Sequence, residues 1–156
     1  MAALTAGFGA PAAALAQHIT IDGTLSPAQV LSGPNYSIGA SLGKRVGGNL
    51  FQTFGLFGLS SGETATFKGP ASVTNIIGRV TGGSPSTIDG TVKSSIKGAN
   101  LYLINPAGVV FGPGGSVNVS GSFSASTANY LKLKGGARFQ ATNPEGSSLS
   151  AAAPAA

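Results

Sequence analysis

Cysteine and tryptophan are absent from the 156 residues, and histidine and methionine occur once each. Without cysteine there is no disulfide framework and no thiolate metal site. A single histidine cannot complete a metal-ligand set either, so no metal and no cofactor are expected. Charge is scarce as well, at 8% of residues, with only four acids: Asp22, Glu63, Asp89 and Glu145. They stand far apart. A β-helical lyase or hydrolase needs paired carboxylates for acid–base work or for calcium, so no enzyme is expected. Nine basic residues give a formal charge of +5, concentrated only at Lys44-Arg45 and at Lys132, Lys134 and Arg138. Aromatic residues do not alternate with them in the manner of single-strand binders, and nucleic acid is not expected as a partner. The bases read as a solvated surface. A small-molecule substrate is likewise not expected.

Glycine is what the chain has in quantity, at 25 residues, with Ser, Thr and Asn supplying most of the polarity. No sustained 3.6-residue period appears after Gln17. Short apolar or alternating runs recur instead, cut by Gly, Pro, Asn and Ser. The expected strands are Ile19–Asp22, Leu50–Leu56, Thr64–Phe67, Val73–Ile77, Asn100–Ile104, Val109–Phe111, Val117–Val119, Ser122–Ser126, Tyr130–Leu133 and Arg138–Ala141. An Asn followed by two large apolar residues occurs at Asn49-Leu50-Phe51, Asn75-Ile76-Ile77 and Asn100-Leu101-Tyr102. Those intervals of 26 and 25 residues suit one coil of three strands and three turns. Asn at matching corners can hydrogen-bond to its counterparts above and below. A second echo, Ile21-Asp22-Gly23-Thr24-Leu25 against Ile88-Asp89-Gly90-Thr91-Val92, fits no multiple of that period and requires loop insertions. The expected fold is all-β, a parallel β-solenoid in which Asp89-Gly90 and similar pairs turn the corners. An up-and-down sandwich is the competing arrangement.

Residues 1–16 carry no charged side chain and end in Ala14-Leu15-Ala16 before Gln17. Small residues at Ala14 and Ala16 suit a signal peptidase cutting before Gln17. The leader lacks the usual Lys or Arg at its start, which implies a start upstream or a trimmed leader. Gly39-Ala40-Ser41-Leu42-Gly43 has the spacing of a nucleophile elbow. That chemistry needs a downstream His, whereas His18 lies upstream, so the match reads as chance. Gly112-Pro113-Gly114-Gly115 lacks the Lys and the helix of a phosphate loop. Arg79, alone among apolar residues, is expected to pair with carbonyls or an acid in a structural role.

The most specific stretch is Ala99-Asn100-Leu101-Tyr102-Leu103-Ile104-Asn105-Pro106-Ala107-Gly108-Val109-Val110-Phe111-Gly112. It is similar to the signature of the filamentous haemagglutinin N-terminal domain family, the two-partner secretion domain of large exoproteins and adhesins. That family carries an Asn-Pro-Asn-Gly-Ile-type motif, here Asn105-Pro106-Ala107-Gly108-Val109, with Ala107 in place of the second Asn. Asn49-Leu50-Phe51-Gln52-Thr53-Phe54 resembles the family's Asn-Leu-Phe-x-x-Phe strand. Asn75–Gly83, Ser86–Gly90, Gly121–Phe123 and Ser126–Ala128 follow in its order.

The resemblance implies a right-handed, single-stranded parallel β-helix over residues 17–144, with short extra-helical hairpins and an N-terminal cap. Residues 145–156 would be a Ser/Ala-rich tail with little to pack, ending before any passenger repeats. It also implies export by signal peptidase and the general export machinery of a Gram-negative-type bacterium. Capture by periplasmic (POTRA-type) domains of an outer-membrane β-barrel transporter would follow, strand addition to a sheet edge suiting such a chain. Folding outside the cell would then nucleate a β-helical adhesin fibre. Asn105, Pro106 and Gly108 would shape the secretion motif together with Asn49, Leu50, Phe51 and Phe54. Asn75, Arg79, Asn100, Phe111, Asp89 and Gly90 would be structural. A free-standing surface adhesin that binds glycan or protein through a solenoid face is the alternative.

Overall fold

The computed structural model describes residues 18–155, so Ala14, Ala16 and Gln17 lie outside the described residues. It is a β-solenoid of about 4 turns with 45% strand and 4% helix. The strands are β1 (Ile19–Ile21), β2 (Gln29–Val30), β3 (Asn35–Ile38), β4 (Lys44–Val46), β5 (Asn49–Phe57), β6 (Thr64–Phe67), β7 (Asn75–Val80) and β8 (Ser86–Ile88). They continue as β9 (Thr91–Ser94), β10 (Asn100–Ile104), β11 (Val109–Phe111), β12 (Ser116–Asn118), β13 (Phe123–Ser126), β14 (Tyr130–Lys132) and β15 (Arg138–Gln140). Two short 3₁₀ turns, Ala40–Leu42 and Pro144–Gly146, complete the elements.

Three parallel faces stack along the solenoid. One runs β3, β6, β9, β12; a second runs β5, β7, β10, β13; the third, two-stranded, pairs β8 with β11. Asn49, Asn75 and Asn100 fall in register, so the sequence interval is the rung. The Ile-Asp-Gly-Thr echo is not a rung. Ile21 ends β1, which pairs antiparallel with β5, whereas Ile88 ends β8 on the parallel third face. No insertion is needed to reconcile the two spacings.

The strand period of two decides what each residue does. Along β5 and β7, Leu50, Phe54, Ile76 and Val80 point into the lumen, where Phe54 meets Phe57 and Phe67 edge-on. Phe51 and Ile77 point outward, and they too are buried. Their cover is the antiparallel β14–β15 hairpin, whose Leu133 and Phe139 form a second small core on them. A sheet covered on both faces explains why all six residues of β7 are buried. The first rung is closed at its edge by antiparallel β1 and β4, both paired with β5. The last rung is open among the described residues: Val110, Phe111 and Val117 are exposed.

The Ser/Ala segment is packed. Leu133 bridges to Pro154, and Asn49 donates to the carbonyls of Ser150 and Ala152. Its backbone carbonyls and small side chains let it lie flat beside the hairpin, where composition alone suggested little to pack.

Candidate functional site

The Asn105 corner is built almost entirely by one side chain. Asn105 is 1% exposed. Its Nδ2 donates to the Ser84 carbonyl (3.0 Å) and to Ser86 Oγ (2.9 Å), tying the corner to the rung before it. Its Oδ1 accepts the Ala107 amide at 2.9 Å, and the Gly108 amide donates to the Asn105 carbonyl at 3.0 Å. Pro106 pre-sets the turn, while Gly108 sits at φ +129°, a conformation that a Cβ would strain. Ala107 is exposed, so the Asn expected there by resemblance would face solvent. The corner lines a cavity of about 290 Å³ whose far wall is Ala141, Thr142 and Pro144.

Asn49, Asn75 and Asn100 form a ladder at the start of the second face. Asn75 Nδ2 donates to Asn49 Oδ1, Asn100 Nδ2 to Asn75 Oδ1, each at 3.0 Å, and Ser122 N donates to Asn100 Oδ1 at 2.9 Å. Leu50 and Phe54 are lumen residues, Phe51 meets Phe139 at a tilt with centroids 4.9 Å apart, and Phe111 lies on the open last rung. The secretion-motif residues are therefore not one cluster. Asp89 Oδ1 accepts the Gly114 amide at 2.6 Å, linking two corners. Gly90 is 2.8 Å, measured from where a Cβ would lie, from the Ser60 carbonyl, and closer still to that of Glu63.

Arg79 is the largest fully buried side chain among the described residues. Nε donates to Thr53 Oγ1, Nη2 to Thr24 Oγ1, and Nη1 to the Gln140 carbonyl and Ser147 Oγ, all within 3.0 Å. The guanidinium lies 4.2 Å from the Phe139 ring centre. Burial lowers its pKa to about 10, against the opposing pull of Asp22. Thr24 and Thr53 also donate to Asp22, so the two charges are linked through hydroxyls.

One cluster went unread in the sequence. His18 Nδ1 lies 2.9 Å from Glu63 Oε1 and 3.3 Å from Ser60 Oγ; Tyr36 OH donates to Glu63 Oε2 at 3.0 Å. Burial pushes the Tyr36 hydroxyl up to about 12, with the Glu63 carboxylate adding to the rise. Hydroxyl and carboxylate both address Nδ1, so the ring does not relay a proton from one to the other. The partners are 45 and 42 residues apart, and no local motif joins them. Ser41 sits exposed on the Ala40–Leu42 turn. Among the described residues no group of three or more His, Asp or Glu could hold a metal ion, and no helix is long and apolar enough to cross a membrane.

A family model described as the TPS secretion domain matches residues 17–154. No curated protein and no solved structure matches the chain.

Proposed function

The chain belongs to the TPS (two-partner secretion) domain family, and from that premise we propose that it is the export address of a filamentous-haemagglutinin-like exoprotein. Membership makes it a domain of a secreted exoprotein that crosses the outer membrane with a cognate transporter. Beyond this, periplasmic POTRA-type domains of that transporter capture the chain after signal peptidase has cut before Gln17, and folding outside nucleates a β-helical fibre. The family match beginning at residue 17 supports the processing site.

The observation that carries the reading is the Asn105 corner. Its outer turn, Pro106-Ala107, is presented to solvent or half so, while Asn105 itself is spent on internal bonds. Such a corner is a fixed shape held by internal bonds, which is what an address requires. The open edge of β11, β12 and β13 supports the fibre part, because parallel strands with exposed Val110 and Val117 template a further rung.

The test is secretion with and without a two-partner transporter, from a chain carrying a complete signal peptide. Release into the medium only with the transporter, lost in Asn105→Ala and Gly108→Ala, is the expected result. Thermal unfolding of the purified variants separates lost recognition from lost folding. Release indifferent to the transporter would overturn the reading.

A further inference from the structure

The composition of the C-terminal hairpin poses a separate question. Its inward residues, Leu131, Leu133, Ala137 and Phe139, are anchored on Phe51 and Ile77. The outward residues are Tyr130, Lys132, Lys134 and Arg138, all exposed. Lys132 and Arg138 are paired directly across the two strands. Like charges in that position repel and weaken a hairpin, so folding alone does not favour them.

No acid compensates them. Among the described residues the only contact of salt-bridge length is between His18 and Glu63. Asp22 is bonded to three threonines, Asp89 to the Gly114 amide, and Glu145 makes no ion pair. Arg138 instead lies over one side of the Tyr130 ring, 4.6 Å from its centre, and Tyr130 is 37% exposed as a residue.

We propose that this outward face is a docking strip for an acidic polysaccharide whose rings bear carboxylates, a uronate polymer. Four features point to that occupant. The cations and the fork of Arg138 match carboxylates in charge and shape. The Tyr130 ring offers a flat apolar surface for a pyranose face. The face is a strip, and neither the cavity lined by His18 and Leu56 to Ser61 nor the one at the Asn105 corner includes its outward side chains. An extended polymer suits a strip better than a small molecule does. Anchoring on Phe51 and Ile77 fixes the strip before binding, which limits the ordering cost. A membrane surface fits less well, because Tyr130 is the only large apolar side chain of the hairpin that is exposed.

The proposal is independent of secretion and is tested on the purified folded protein. Oligogalacturonate is titrated by calorimetry at low and at physiological salt. Neutral dextran, inorganic polyphosphate and vesicles of mixed neutral and anionic phospholipid serve as comparison ligands. The expected result is binding of oligogalacturonate that weakens with salt and exceeds that of the other three. Lys132→Ala with Arg138→Ala should weaken it at least about tenfold. Tyr130→Ala should weaken oligogalacturonate but leave polyphosphate unchanged. Lys68→Ala with Lys93→Ala, two exposed lysines at the β6–β9 face, removes the same charge away from the hairpin and should change little. No binding, equal binding of polyphosphate with no effect of Tyr130→Ala, or preference for the vesicles would each overturn the proposal.

Discussion

A carboxylate drawn partly out of water stays ionised only where hydrogen bonds outweigh its lost hydration. Burial alone would raise the pKa of Asp22, but donation by Thr53, Thr81 and Thr24 holds it below its ordinary 3.8. Glu63 is likewise held below 4.5, burial being outweighed by the Ser60 amide, His18 and Tyr36. In the unfolded chain both groups return to ordinary values. Their contribution to stability is therefore complete above those values and is lost as pH falls through the folded-state ones. The urea midpoint should be level from about pH 7 to about pH 5 and drop below about pH 4. Thr53→Val combined with Thr81→Val should lower the midpoint at neutral pH and flatten the acid limb. An acid limb unchanged in that variant would remove Asp22 from the explanation. The sequence made these acids look isolated, and Asp22 looked like turn chemistry. Asp22 does serve its local turn through the Thr24 amide, but Thr53 and Thr81, 31 and 59 residues away, became neighbours only through the coil.

Rungs of a solenoid need a device that fixes their register, because parallel strands with short apolar runs can slip. The Asn ladder provides one, since Asn75 donates to the rung before it and accepts from the rung after it. Asn75→Ala removes both bonds of the central rung and leaves Asn49 Oδ1 and Asn100 Nδ2 without that partner. A cost of about 1–3 kcal/mol follows, read as a lower denaturant midpoint with an unchanged slope. An unchanged midpoint would mean that the ladder contributes nothing to stability.

This ladder and its strands were legible because a 25–26-residue interval repeats with the same residue types. Strands β2, β3, β4, β8 and β9 were not: β2, β4, β8 and β9 carry one apolar residue each among Gln, Ser, Thr, Lys and Arg, too little for a periodic signal, whereas the equally short β6 and β11 carry two or three. The same shortage of apolar residues hid the antiparallel cap strand β4, whose Lys44-Arg45 looked like surface charge. The Asn105 corner could be read as a turn, from Pro106 and Gly108. Its attachment to Ser84 and Ser86 could not, since Ser in this chain is too common to mark a contact.

At the scale of the molecule, Arg79 joins regions that nothing else ties so tightly. The first turn after β1 supplies Thr24, the first rung Thr53, the hairpin Gln140 and the final segment Ser147. Arg79→Ala strands these partners, and a loss of about 3–5 kcal/mol is expected from chemical denaturation. Lys at the same position should recover little, as it lacks the planar fork. Hydrogen exchange should show faster exchange of the Lys134 and Ala155 amides, which bond to Ala153 and Lys132. Amides that keep their protection in Arg79→Ala would sever the hairpin from the Arg79 network.

The return of the final segment to the first rung also has a temporal meaning. Asn49 receives its acceptors from residues 101 and 103 positions later, and Arg79 from residues 61 and 68 positions later. Wherever this chain emerges N-terminus first, whether from a ribosome or through a pore, the early rungs can coil while the Arg79 guanidinium is still hydrated. Its burial waits for residue 147, and the outer side of the second face stays wet until the hairpin arrives. The domain thus carries an internal clock set by sequence separation, in which the bonds that lock the beginning are the last to close.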